Sequence, residues 1–273
     1  MNEDEPISEP KLQFAADLWS AQGYLAEFYP PGQINPDEPV AMRAQIEFSQ
    51  ATFPIAQPDK PVVLEFGAGP TEHRAIAVVP YVAAIHIAEY LPHNLAESAR
   101  WVDNREGRHD WDLYAAYALT CEGIPQPTAA QVADRLALTR AKMTRLMPAG
   151  AGREQPLGES APPRYAHVYS GFCADSATGD KQTWRRFMRN IASLVAEGGT
   201  FWTAALHRAT SYRAGRHRFP SANLDSADLQ EILALDFLPQ SIAVEVRALP
   251  QMREHGYAGI ILASARKQRR CGS

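Results

Sequence analysis

Cysteine is scarce in this chain. Its 273 residues include three, Cys121, Cys173 and Cys271, in odd number and with no C-x-x-C pair. That argues against a disulfide framework or a thiolate metal site and for free thiols in a reducing compartment. No run approaches the ~20 apolar residues that a membrane helix needs. The opening MNEDEPISEP is acidic and has no apolar core, unlike a secretory signal, so a cytoplasmic location is expected. Positive charge is not in excess either. Lys and Arg number 27 against 31 Asp and Glu, a formal net charge of −4, which leaves no electrostatic footprint for nucleic acid or an anionic membrane. The histidines form no H-x-x-x-H pair and no G-x-S-x-G elbow occurs, so neither a metal centre nor a serine hydrolase is indicated. What remains as partner is a small molecule.

Hydrophobic residues make up 45% and charged residues 21%, ordinary values for a globular protein. Short apolar runs at Val62–Phe66, Ala83–Ala88, Tyr165–Ser170, Thr200–Leu206, Ile242–Leu249 and Gly256–Ala265 read as strands. Helical patterns fall between them, at Glu72–Val82 (ended by Pro80), Pro92–Val102, Ala129–Met143, Trp184–Val195 and Ser226–Leu235, the last capped by Asp225. Strands alternating with helices, then two strands in succession, predict an α/β sheet, mostly parallel with one antiparallel member. Residues 1–60 read as an N-terminal helical lid or extension, 61–266 as the α/β domain, and 267–273 as a basic tail. Within the extension, 11–35 is rich in aromatics and expected to close over a ligand.

The chemistry begins at Glu65-Phe66-Gly67-Ala68-Gly69-Pro70-Thr71. Glycines at 67 and 69 allow backbone to approach a ligand closely, and a turn from strand to helix is where nucleotides bind. The next strand ends at Glu89, well placed to accept hydrogen bonds from both ribose hydroxyls. The dinucleotide fingerprint would need a third glycine where this chain has Glu72, and an acid is a poor neighbour for pyrophosphate. S-adenosylmethionine carries no phosphate, so acids near the turn suit it, and Glu65 suits its cationic groups.

E-F-G-A-G-P-T (65–71), I-A-E-Y-L-P-H-N-L (87–95), Trp101 and H-D-W (109–111) resemble the nicotinamide, phenylethanolamine and indolethylamine N-methyltransferase family. G-Y-L-A-E-F-Y (23–29), Q-P-L-G (155–158), Y-S-G-F-C-A-D-S (169–176) and E-G-G-T-F (197–201) are similar to that family in order and spacing. The resemblance implies a Rossmann-like sheet of seven strands, mostly parallel with one antiparallel, helices on both faces and an N-terminal helical lid. It also implies methyl transfer from S-adenosyl-L-methionine, leaving S-adenosyl-L-homocysteine, in a monomer or weak dimer without metal. By the same resemblance Tyr24 and Tyr29 would cover the cofactor, Gly67 and Gly69 would flank its methionine part, and Thr71 would start the next helix. Glu89 would hold the ribose, Tyr90 the adenine, and Asn94 polar cofactor groups; Gly150, Ala151 and Gly171 complete the candidate cofactor set.

Departures from the family pattern bear on the acceptor. Gly150 stands where an aspartate usually meets the adenine amino group, Ala204 replaces a substrate-orienting acid, and Arg216 replaces a substrate-facing glutamate, while Asp175 is retained. Asp175, Tyr212 and Arg216 are therefore the candidate catalytic residues. Arg216 lies among His207, Arg208, Arg213, His217 and Arg218, either a solvated face or a pocket for an anionic group. The expectation is a methyltransferase for a small, (hetero)aromatic and anionic acceptor, with nitrogen favoured. The alternatives are an O-, C- or S-methyltransferase of the same fold, or a non-catalytic cofactor-binding protein.

Overall fold

In the computed structural model, residues 14–53, 55–56, 58–158 and 164–269 are described. Ser20 accepts a hydrogen bond from the Gly23 N–H and so starts α1 (Ala21–Phe28); α2 (Asp37–Thr52) follows with acids in its first turn. The Val62-to-Phe66 run forms β1 (Val62–Phe66). Beyond the glycine turn comes α3 (His73–Val78), shorter than the sequence pattern implies, because Pro80 turns its end into a 3-10 turn. β2 (Ala84–Glu89) and α4 (Pro92–Val102) lie where their patterns place them. Helix α5 (Asp112–Cys121) escaped the sequence reading: its DLYAAYALTC stretch carries apolar residues on every side and so shows no stripe. Thr128 and Gln131 cap α6 (Ala129–Lys142) reciprocally, and β3 (Met143–Pro148) follows without a loop. This strand also went unread, since an edge position leaves its Thr144 and Arg145 exposed.

The second half contains β4 (Tyr165–Gly171), α7 (Lys181–Ser193), β5 (Val195–Leu206), the hairpin β6 (Ser211–Ala214) and β7 (His217–Pro220), α8 (Ser226–Ala234), β8 (Ala243–Ala248) and β9 (Gly259–Arg266). Seven strands join in the order β3-β2-β1-β4-β5-β9-β8, and β9 alone runs antiparallel to its neighbours. The Rossmann-like expectation holds in strand number, direction and helix placement. Alternation along each strand divides the core in two. Val63, Ile85 and Ile87 pack with Met42, Ile46, Ile76, Ala118 and Leu136 on one face. Leu64, Phe66 and Ala88 pack with Trp184, Ile191, Leu229 and Ile232 on the other.

Residues 14–53 have no core of their own. Leu25, Phe28, Tyr29, Met42 and Ile46 share one cluster with Val63 and Ile76, so the chain on both sides of residue 60 packs as one body. The start of the basic tail is likewise engaged: Lys267 Nζ donates to the Ala192 carbonyl at 2.8 Å. Residues 270–273, with Cys271, lie outside the described residues, as do residues 1–13. Because Ile46 is fully buried, Ile46→Ala is expected to cost about 2–5 kcal/mol. Urea denaturation followed by fluorescence and circular dichroism should show one transition moved to lower denaturant. Loss of an early, separate phase instead would mean that α2 folds apart from the sheet.

Candidate active site

The strand order reverses between β1 and β4, and there the ends of the two strands diverge into a crevice. The turn after β1 lines it. Gly67 and Gly69 have φ of +72° and +65°, and a Cβ on Gly67 would stand 2.1 Å from Cys173 Sγ. Only glycine fits at 67. Thr71 does not begin the following helix: its hydroxyl donates to the Ala68 carbonyl at 2.7 Å and closes the turn, and α3 starts at His73.

A cavity of about 430 Å³ fills the crevice, within the size range of small-molecule sites. Glu89, at the end of β2, presents its carboxylate to it. One oxygen accepts the Gly69 N–H at 2.9 Å; the other accepts the Leu91 N–H at 2.9 Å and Asn94 Nδ2 at 3.3 Å. The oxygen facing Gly69 keeps a lone pair for a ligand hydroxyl, and the other would gain one if a ligand displaced the long Asn94 bond. Asn94 also accepts a hydrogen bond from Trp19 Nε1 at 3.0 Å, which ties the N-terminal segment to α4 over the cavity mouth. Tyr90 is on the wall yet 61% exposed. Near it Gly150, Ala151 and Gly152 offer backbone, with the Arg153 and Phe187 side chains beside them. No acid stands where the family pattern puts its aspartate.

The rest of the wall is aromatic. Tyr24 packs against Trp19, Phe28 and Tyr29 at ring-centroid distances of 4.8, 4.9 and 5.7 Å. Phe14, Phe172 and Tyr212 complete this part of the lining, and Gly171 forms its floor. Tyr212 is buried and stacks on Phe219. Burial pushes the Tyr24 and Tyr212 hydroxyls well above the ordinary phenol range, so both remain neutral.

Several lining groups gave no sequence signal. Asp37 and Glu38, from the first turn of α2, and Arg74, from α3, reach the cavity although all three are at most 4% exposed. Glu38 accepts from Tyr29 Oη at 2.5 Å and lies 2.9 Å from His73 Nε2 and 3.6 Å from Arg74 Nη2. Burial opposes its ionisation, but His73, Arg74 and the tyrosine hydrogen bond hold its pKa down at about 2. Asp37, which accepts from Tyr257 Oη at 2.7 Å, is pushed up to about 7 by burial and by Glu38. Helix-surface acids and an isolated arginine look like solvated residues in a sequence; only the packing of α2 onto α3 turns them inward.

Three of the expected site residues are not on the wall. Glu65 points into the protein on the α3 side, and burial pushes its pKa up to about 8. Asp175 lies behind the wall: its carboxylate accepts the Leu206 N–H at 2.9 Å, so it fastens the end of β5 rather than facing a ligand. Arg216 sits in the exposed turn of the β6–β7 hairpin. Its basic neighbours do not converge on the cavity. Arg213 pairs with Glu27 at 3.3 Å, Arg218 donates to Ser211 Oγ at 2.9 Å, and Arg208 is exposed. A two-stranded hairpin alternates its side chains, and here Tyr212 and Phe219 take the inner face while the arginines take the outer one.

The buried acids set a pH dependence. Glu65 at about 8, with Glu72 and Asp37 at about 7, are all raised chiefly by burial. An acid raised in the folded state stabilises below its unfolded pKa, and that contribution is lost as pH rises through the folded value. Buried His73 and His167, whose pKa burial lowers, work in the opposite direction up to about pH 6.5. The thermal midpoint of the ligand-free protein should therefore fall between about pH 6.5 and 8, and Glu65→Gln should flatten that fall. A midpoint that climbs steadily to pH 8 would contradict these burials.

Comparison with known proteins fits this geometry. The family model described as NNMT/PNMT/TEMT matches residues 13–268. Mouse indolethylamine N-methyltransferase is 25% identical over 221 residues, covering 78% of this chain and 82% of that protein. Human phenylethanolamine N-methyltransferase is 25% identical over 238 residues, covering 84% and 81%. Among solved structures, N-methyltransferase NodS from Bradyrhizobium japonicum WM9 in complex with S-adenosyl-L-homocysteine superposes with a TM-score of 0.52 at 12% identity, covering 90% of this chain and 96% of that one. Magnesium protoporphyrin IX methyltransferase from Synechocystis PCC 6803 with bound S-adenosylmethionine gives 0.53 at 13%, covering 91% and 92%. Such structural likenesses speak to the fold, whereas the family model spans nearly the whole chain. The chain belongs to the NNMT/PNMT/TEMT family of S-adenosylmethionine-dependent methyltransferases.

Proposed function

We propose that this protein transfers the methyl group of S-adenosylmethionine to a nitrogen of a small, flat, (hetero)aromatic acceptor. The observation that carries this reading is that one cavity joins the glycine turn and Glu89 to a cage of aromatic rings from residues 14–28 and the β4 and β6 segments. Glu89 has one acceptor site free and a second held only by the long Asn94 bond at 3.3 Å, so it can take the ribose diol by displacing that bond. Gly67 and Gly69 admit the methionine part alongside the backbone. The backbone of Gly150, Ala151 and Gly152, with Arg153, Phe187 and the exposed Tyr90 ring, forms the adenine side. The cofactor supplies an activated methyl group on a cationic sulfur. Around that cation the rings of Trp19, Tyr24 and Tyr29 supply apolar walls and π faces, which suit a sulfonium and exclude water. Alignment is then most of what the protein must provide.

The acceptor lies among Phe14, Phe28, Phe172 and Tyr212, a space that favours a planar ring over a flexible chain. Arg216 is given no part in it, because it sits in the exposed turn between β6 and β7. Asp175 acts as a positioning residue: by holding the Leu206 N–H it fixes the end of β5 beneath the acceptor space. A group abstracting a proton would be worth roughly 10²–10⁴-fold in rate. Asp175→Asn, which can still accept from Leu206, should therefore lower kcat/KM by less than about tenfold and move the acceptor KM little. A loss of three orders of magnitude with an altered pH profile would restore it as a base.

Product mass spectrometry over a panel of heteroaromatic nitrogens, aryl amines, phenols and thiols tests the reaction itself. A methyl mass gain on nitrogen is expected, and Glu89→Ala should weaken cofactor binding by about 2–3 kcal/mol. Methylation confined to oxygen or sulfur would replace the acceptor assignment. Tight cofactor binding with no turnover anywhere in the panel would favour a non-catalytic binding protein.

A further inference from the structure

Arg74 is the most conspicuous charge on the cavity wall and the family pattern assigns it nothing. It is 4% exposed, and its guanidinium is pressed against the end of β4, so that a Cβ on Gly171 would stand 2.8 Å from Cζ. The rings of Phe172 and Trp202 lie 5.2 and 6.0 Å from Cζ. Glu38 neutralises the charge at 3.6 Å from Nη2, yet Nη1 has no hydrogen-bond partner among the described residues. A buried guanidinium N–H with nothing to donate to is costly, and a bound anion would remove that cost.

We propose that Arg74 is the carboxylate anchor of the site, taking the α-carboxylate at the amino-acid end of S-adenosylmethionine through Nη1. The inference rests on the methyltransferase reading above. Placement favours the cofactor over an acidic acceptor as the source of that carboxylate. Glu89 ends β2, and Arg74 touches β4, two strands away across the sheet, a span of about 10 Å. The chain of bonds from ribose through sulfur to the carboxyl carbon covers a comparable length. The α-carboxylate is also the only anion the cofactor carries. The α-ammonium beside it would then meet Glu38 and Asp37 on the same wall, so a zwitterion enters a nearly neutral cluster without leaving a buried charge unpaired.

The test is calorimetry with three ligands: S-adenosyl-L-homocysteine, its decarboxylated amine analogue, and 5′-methylthioadenosine, which lacks the whole amino-acid end. Wild type should bind S-adenosylhomocysteine about ten- to a hundredfold more tightly than the decarboxylated analogue. Arg74→Gln should remove most of that preference and change 5′-methylthioadenosine affinity by no more than about twofold. Since Arg74→Gln strands the Glu38 charge, the double variant R74Q/E38Q serves as the second arm; in either protein, retained 5′-methylthioadenosine binding reports an intact fold. If wild type binds S-adenosylhomocysteine and its decarboxylated analogue equally, the anchor is overturned while the methyltransferase reading stands. The same holds if the preference survives in both variants, or if Arg74→Gln instead raises only the KM of a carboxylate-bearing acceptor. Failure of wild type to bind any of the three overturns both.

Discussion

The close approach of two loops at the sheet centre governs the rest of the molecule. The turn after β1 and the loop after β4 meet so tightly that Cys173 Sγ takes the space a side chain at Gly67 would need. That contact fixes the backbone of Gly67 and Gly69 in the left-handed region. It also opens the crevice on the far side of the turn, at the point where the strand order reverses. Everything recognised as site is hung on that crevice: Glu89 bonds directly to the Gly69 N–H, and Asn94 links Glu89 to Trp19.

The N-terminal segment completes the enclosure, and it is more than a cover. Helix α2 contributes Met42 and Ile46 to the core and, from its first turn, Asp37 and Glu38 to the cavity. Where the family pattern would place acids within β5 and after β6, this chain has Ala204 and Arg216; acidic groups enter instead from α2. The hairpin of β6 and β7 is held to α1 through Glu27, which pairs with Arg213 and accepts the Gly215 N–H. The basic residues of that hairpin thus serve its attachment and its solvent face.

Local pattern carried far in some places. Val62–Phe66, Pro92–Val102 and Ser226 with its Asp225 cap could be read from residue type alone, because their burial and caps are set within a few residues. Strand β3 could not, since an edge strand has only one neighbour and tolerates Thr144 and Arg145. Helix α5 could not, since apolar residues such as Leu113 and Ala116 on its outer sides mask the buried stripe of Tyr114, Ala115, Ala118 and Leu119. In the site the glycine turn and Glu89 were legible as a spacing. Arg74, Glu38 and Asp37 were not, because their role depends on α2 packing against α3, far apart in sequence. Asp175 shows the converse: the residue type suits catalysis, and only the Leu206 N–H shows that its carboxylate is already committed.

We propose that a single cavity at the β1–β4 crossover binds S-adenosylmethionine in an extended form beneath the aromatic segment. A crystal structure with S-adenosyl-L-homocysteine tests it most directly. Both ribose hydroxyls are expected on Glu89, the adenine beside Gly150–Gly152, and the sulfur within the Trp19–Tyr24–Tyr29 enclosure. A nucleotide bound elsewhere, or a ribose turned away from Glu89, would contradict it.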